Sequence, residues 1–101
     1  MVLTSQASNT SAMQRRQITY TGRVQGVGFR ATTRTIARDH SITGWVRNQD
    51  NGSVLLEVQG EPAAIEAFLL HIRQSLERFI KTENQVDLSL DPNEVEFSIR
   101  R

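Results

Sequence analysis

The order of periodicities along this chain predicts an α+β fold. It is the ferredoxin-like βαββαβ sandwich, an antiparallel sheet with two helices packed on one face. Three observations predict it. Two segments carry apolar residues at helical spacing, and alternating stretches flank both. Turn chemistry at 50–52 and 91–93 punctuates the alternating stretches. No apolar run approaches the ~20 residues of a membrane span.

The elements follow in order. Segment 17–24 alternates, with Ile18, Tyr20, Gly22 and Val24 on one face and Gln17, Thr19, Thr21 and Arg23 on the other, as a half-buried strand requires. From Phe29 the period changes. Phe29, Thr32, Thr33, Ile36, Ala37 and His40 share one helical face, so 29–40 is expected to be a helix. Its other side carries Arg30, Arg34 and Arg38 at four-residue steps, of which Arg34 and Arg38 read as solvated. A second strand spans 42–48, with Trp45 and Arg47 on one face and Gly44, Val46 and Asn48 on the other. Asp50-Asn51-Gly52 is a hairpin signal, because Asn-Gly tolerates the positive φ of tight turns.

Residues 53–59 form the next strand, with Val54, Leu56 and Val58 inward and Leu55 breaking the alternation. Pro62 suits the first helical position. Ile65, Phe68, Leu69, Ile72 and Leu76 give the second helix its apolar stripe. The charged stretch 77–84 has no clear period. Val86, Leu88 and Leu90 mark an extra short strand, and Val95, Phe97 and Ile99 mark the last one.

A chain of 101 residues is one ordinary domain, long enough to bury a core without staples. The absence of Cys excludes thiol catalysis, disulfides and Cys-based zinc sites. It suits a reducing compartment. Residues 1–14 carry no charged side chain and no apolar core of the kind a secretory signal needs. They are expected to be a disordered tail ahead of a domain at 15–101, and Met13 offers an alternative start. A cytoplasmic location is expected on these grounds.

Net charge is only +1, yet it is lopsided. Residues 1–48 hold seven arginines against one acid, Asp39. Residues 49–101 hold ten acids against five bases. The cationic half favours an anionic ligand.

That half contains Gly22-Arg23-Val24-Gln25-Gly26-Val27-Gly28-Phe29-Arg30. A strand enters this nonapeptide and a helix leaves it. Gly26 and Gly28 permit a sharp turn and close approach of a ligand to the backbone. Cupped N–H groups at such a handover bind phosphate or carboxylate oxyanions. Arg30 falls in the first helical turn, where the macrodipole is already positive, a placement that costs about 0.3–1 kcal/mol unless an anion offsets it. The loop lacks the lysine and hydroxyl of a nucleotide P-loop. Its glycine spacing also fails the dinucleotide fingerprint. Asn48, at the end of strand two, is expected near the start of the first helix. Its carboxamide can donate and accept, enough to hold a water beside a bound phosphate.

Together with Gly44-Trp45-Val46-Arg47-Asn48, Asn51-Gly52-Ser53-Val54 and Phe97-Ser98-Ile99-Arg100, the nonapeptide resembles the acylphosphatase family over residues 16–101. The resemblance implies a small hydrolase of carboxyl–phosphate anhydrides that needs no metal or cofactor. By motif position, Arg30 and the loop of Val24, Gln25, Gly26, Val27, Gly28 and Phe29 would bind the phosphoryl group, and Asn48 would orient the attacking water. The expected partner is a small-molecule acyl phosphate. Inorganic phosphate or sulfate fits the same cradle. The chain is expected to be a monomer, although an exposed edge strand near 85–90 offers a pairing surface. The sequence departs from the family pattern at Ser41, Asn51 and Thr32, and across 74–84.

His40 and His71 stand isolated in sequence and read as surface residues. Glu57, Glu66 and Glu77 form no catalytic pairing, and Trp45 reads as packing. A second function on the same fold is anion binding without turnover. Binding of single-stranded RNA would need exposed aromatics on the central strands, where only Tyr20 and Trp45 occur, so neither nucleic acid nor membrane is expected as a partner.

Overall fold

The computed structural model describes residues 12–101. Its elements are β1 (Gln14–Gly22), α1 (Phe29–Ala37), β2 (Ile42–Asn48), β3 (Val54–Gly60), α2 (Pro62–Leu76), a 3₁₀ turn (Glu77–Phe79), β4 (Ile80–Leu88) and β5 (Phe97–Arg100). The five-stranded sheet has the order β4-β1-β3-β2-β5. The α+β sandwich expected from sequence is present, with the core on the helical face of the sheet. Ile18, Tyr20, Val46, Val54, Leu56 and Val58 meet Phe29 and Ile36 of α1 and Ile65, Phe68, Leu69 and Ile72 of α2. Burying such side chains contributes roughly 1.5–3 kcal/mol each before entropy is counted.

The boundaries differ where polar residues hid them. β1 starts at Gln14, three residues before the alternation suggests, because Arg15 is buried on a polar network and so disguises a strand position. Of the polar segment 1–14, residues 1–11 lie outside the described residues. α1 stops at Ala37 rather than 40. There the chain tightens into i→i−3 bonds, Asp39 N–H to Ile36 O (2.9 Å) and His40 N–H to Ala37 O (3.2 Å). The shapeless stretch 77–84 and the short strand after it are one turn and one nine-residue strand, β4. β4 is an edge strand, exposed along most of its length, so burial imposes no apolar period on it.

β5 is the exception to an antiparallel sheet, because it pairs parallel to β2. The reason is the path of the chain. β4 ends where β1 and β2 begin, with Leu88 opposite Arg15. Segment 89–96 then crosses that end of the sheet, so the chain enters β5 running with β2. Arg15 fastens the crossing, with bonds to Glu94 Oε1 (2.8 Å) and Oε2 (3.1 Å) and to Glu57 Oε1 (3.0 Å). Gln59 adds a bond to Asp91 O (3.0 Å) and accepts from Asp91 N–H (2.8 Å). Together these partners satisfy a guanidinium that is almost fully buried, and the bond to Glu94 is the main reason its pKa lies above the ordinary arginine value.

Candidate active site

The opposite end of the sheet, where β1, β2 and β5 finish, is left for the site. β1 ends at Gly22, and Arg23 N–H donates to Phe79 O (2.9 Å), anchoring the loop that follows. Tyr20 of β1 and Phe29 of α1 pack with their rings tilted by 52° and their centroids 5.1 Å apart, which fixes α1 against the strand. Between them, Gly26 and Gly28 take φ of 78° and 79°, left-handed values that other residues adopt only under strain. A Cβ at either glycine would meet nothing within 4 Å. Conformation, not crowding, selects glycine there, and the loop borders open space.

Gly28 caps α1 without a side-chain acceptor, and the first turn of α1 contains no acid. Among the described residues, the N–H groups of residues 25–28 donate to no backbone carbonyl. The first N–H groups of α1 have no intrahelical partner either. Arg30 is half-buried. Its Nη1 leans on the carbonyl of Arg100 at 3.4 Å, a long contact that leaves the rest of the fork unengaged. Asn48 ends β2, and its carboxamide makes no hydrogen bond among the described residues.

These groups share one cavity of about 240 Å³, lined by Val24, Gly26, Gly28, Phe29, Arg30, Ala31, Asn48, Ile99 and Arg101. Arg30 and Asn48, eighteen positions apart in sequence, are brought together as expected. The cavity presents a guanidinium and orphan helix N–H groups, donors suited to an anion. A second concavity of about 490 Å³ adjoins it, sharing Asn48 and Arg101 and adding Arg47, Gln49, Asp50 and Asn51.

A family model for acylphosphatases matches residues 16–99. The acylphosphatase of Oceanobacillus iheyensis is 37% identical over 90 residues, which cover 87% of this chain and 99% of that protein. The chain belongs to the acylphosphatase family. The acylphosphatase of Haloarcula marismortui is 40% identical over 90 residues, covering 88% and 98% of the two chains. The solved structure of an acylphosphatase from Coxiella burnetii matches with a TM-score of 0.77 at 27% identity, over 87% of this chain and 93% of that one. The chain is accordingly an enzyme, and acylphosphatases hydrolyse acyl phosphates, which are small molecules.

Within this acylphosphatase, two of the loop residues named from sequence do not line the cavity. Val27 packs against the core. Gln25 turns its carboxamide into the β2–β3 hairpin, where Nε2 donates to Gln49 O (2.8 Å) and Ser53 O (2.9 Å). Gln25 is thus a strut that ties the loop to the residues next to Asn48, and nothing in the sequence distinguishes it from a solvated glutamine. The hairpin also departs from expectation. Gly52 alone takes positive φ (92°), while Asn51 accepts from Ser53 N–H (3.0 Å) through its side chain. Three further residues line the cavity without having been named from sequence: Ala31, in the first turn of α1, and Ile99 and Arg101, which reach it because β5 runs parallel beside β2.

The two histidines are not separate surface residues. His40 Nε2 and His71 Nδ1 lie 3.0 Å apart, linking the end of α1 to α2. Their ring centroids are 5.3 Å apart, close to the value for two rings aligned along an N–H···N bond. Desolvation, and then the neighbouring His71, holds the His40 pKa below the ordinary value. Among the described residues no helix is long and apolar enough to cross a membrane.

Proposed function

We propose that Arg30 and the N–H groups of the loop Val24, Gln25, Gly26, Val27, Gly28 and Phe29 bind the phosphoryl group of an acyl phosphate, and that Asn48 orients the attacking water. The observation that carries this reading is the single cavity in which a first-turn arginine, two left-handed glycines and an unbonded asparagine meet. A dianionic phosphoryl group offsets the repulsion between the Arg30 guanidinium and the positive end of α1. It also gives the orphan N–H groups their acceptors.

The step balances without a metal or a protein base. Water attacks phosphorus in line, the bond from phosphorus to the acyl oxygen breaks, and the carboxylate leaves with the electron pair. The proton of the water passes to a phosphate oxygen. The products are a carboxylate and dihydrogen phosphate. The leaving group is good, so positioning and charge stabilisation cover the task. Asn48 Oδ1 accepts from the water while its neighbours fix the phosphate. The acyl group extends into the adjoining concavity at Arg47, Gln49 and Asn51. One chain is the catalytic unit, since every proposed group lies in it. Inorganic phosphate or sulfate occupies the same cradle, and the enzyme acts in the cytoplasm.

Hydrolysis of benzoyl phosphate, with and without EDTA, tests the reading. Wild type turns over in both conditions. Arg30→Ala and Asn48→Ala each lower kcat by about 10²–10³-fold, the cost of removing one preorganised polar group from the site. A rate flat across about pH 5–7 supports transfer of the proton to the substrate, whereas a single enzymic pKa in that window points to a protein base. Absence of turnover in wild type favours a binding module on the same fold.

A further inference from the structure

The concavity that adjoins the cavity of Arg30 is lined by polar residues alone, so an aliphatic or aromatic acyl chain finds no apolar wall there. Much of that polarity is already committed. Asn51 Oδ1 accepts from Ser53 N–H (3.0 Å) and from Ser53 Oγ (2.6 Å), and Gln49 Nε2 donates to Ser53 Oγ (3.0 Å). Arg47 is different. Its guanidinium forms no ion pair among the described residues, not even with Asp50, the one acid of the concavity. Its neighbours in the sheet supply no acid either, being Leu55 on β3 and Arg100 on β5. Arg47 and Arg100 share a single aromatic ring, with guanidinium carbons 5.4 Å and 4.5 Å from the centroid of Trp45. Glu57, which lies opposite Trp45 in the register, is taken by Arg15 at 3.0 Å. Like charges side by side across a sheet repel, and the ring offsets only part of that. Stacking also leaves the N–H edges of a guanidinium free to donate.

We infer that Arg47, backed by Arg100, binds a second oxyanion carried by the acyl group. The preferred substrates are then acyl phosphates whose acid bears a further carboxylate or phosphate. This rests on the proposed binding of the reacting phosphoryl group by Arg30. Strand geometry separates the two anions. Arg47 and Asn48 are consecutive in β2, so their side chains leave opposite faces of the sheet. Asn48 borders both concavities, whereas Arg47 borders only the outer one. A substrate with an anion at each end places its reacting phosphoryl group at Arg30 and its other end at Arg47. Arg101 borders both concavities and adds positive potential between the two ends. Guanidinium forks match carboxylate and phosphate alike. A neutral acyl chain meets the same wall with nothing to accept those N–H groups.

Isothermal titration calorimetry of the full chain with phenacylphosphonates tests this. In these compounds a methylene replaces the bridging oxygen of benzoyl phosphate, so binding is read without turnover. The parent compound is compared with derivatives carrying a carboxylate or a phosphonate at the meta or para position of the ring. The result expected is at least about tenfold tighter binding of a charged derivative than of the parent at low salt, a gain that shrinks as ionic strength rises. Arg47→Gln, on an exposed position that burdens no core, loses most of that gain, so it weakens the charged derivative far more than the parent. Arg47→Lys keeps part of the gain, because the charge remains without the fork. Equal affinity of wild type for all the compounds overturns the inference and leaves the reading at Arg30 standing. A gain that survives Arg47→Gln overturns the assignment to Arg47. Failure of wild type to bind even the parent overturns the reading at Arg30, and this inference with it.

Discussion

Arg30 is the residue whose position needs explaining. A cation in the first turn of α1, with no acid beside it and only a 3.4 Å contact to a carbonyl, is unfavourable in the free protein. In the proposed reading, a phosphoryl dianion turns the same placement into a favourable one. Arg30→Lys keeps the charge but loses the planar fork. It should retain weak phosphate binding while kcat for benzoyl phosphate falls by about 10²-fold. Tyr20 makes the opposite kind of statement. Its hydroxyl is fully buried with no partner among the described residues, and burial pushes its pKa up. Tyr20→Phe removes an unpaired group and keeps the ring packed against Phe29, so chemical denaturation should show the variant unchanged or about 1 kcal/mol more stable. The histidine pair carries a pH signature. The pKa of His40 is lower in the fold than in the unfolded chain, so the unfolded chain takes up the proton first as pH falls. The stability involved is present in full above about pH 6.5 and declines below it. Denaturant midpoints measured from pH 7.5 downward should fall in wild type and fall less steeply in His40→Gln.

At the scale of elements, legibility followed burial. α2, β2 and β3 are readable because one face of each is apolar and the period is undisturbed, as in Ile65-Phe68-Leu69-Ile72. Among the residues that line the cavity, Gly26, Gly28 and Arg30 were legible, because glycine and arginine at a strand–helix junction have few other uses, whereas Ala31, Ile99 and Arg101 were not. Neither the start of β1 nor the first half of β4 was legible. A buried arginine erased the alternation at one, and an open edge removed the need for alternation at the other. The parallel direction of β5 depends on where segment 89–96 crosses, which no local pattern encodes. Gln25 was named for its backbone and matters through its side chain. Gln25→Ala frees the loop from the hairpin, and kcat should fall about tenfold or more through misplacement of Asn48 against the phosphate, with global stability nearly unchanged.

The whole molecule separates its two ends. The crossing segment is fastened at one end by Arg15, Glu57 and Glu94, and the cavity around Gly26 and Asn48, where the chemistry is proposed, lies at the other. Glu94→Gln weakens a buried charged contact and should cost about 1–3 kcal/mol of stability in urea unfolding while kcat stays at the wild-type level. The lopsided charge of the sequence also has its counterpart here, since Arg30 and Arg47 of the cationic half border the cradle and its neighbouring concavity, joined there by Arg101.

Titration of ¹⁵N-labelled protein with inorganic phosphate tests most directly whether this end of the sheet is an oxyanion cradle. Saturable amide shifts confined to residues 24–31 and 48, abolished in Arg30→Ala, are the predicted result. Amides there that stay still at saturating phosphate, or that move equally without the arginine, would contradict it.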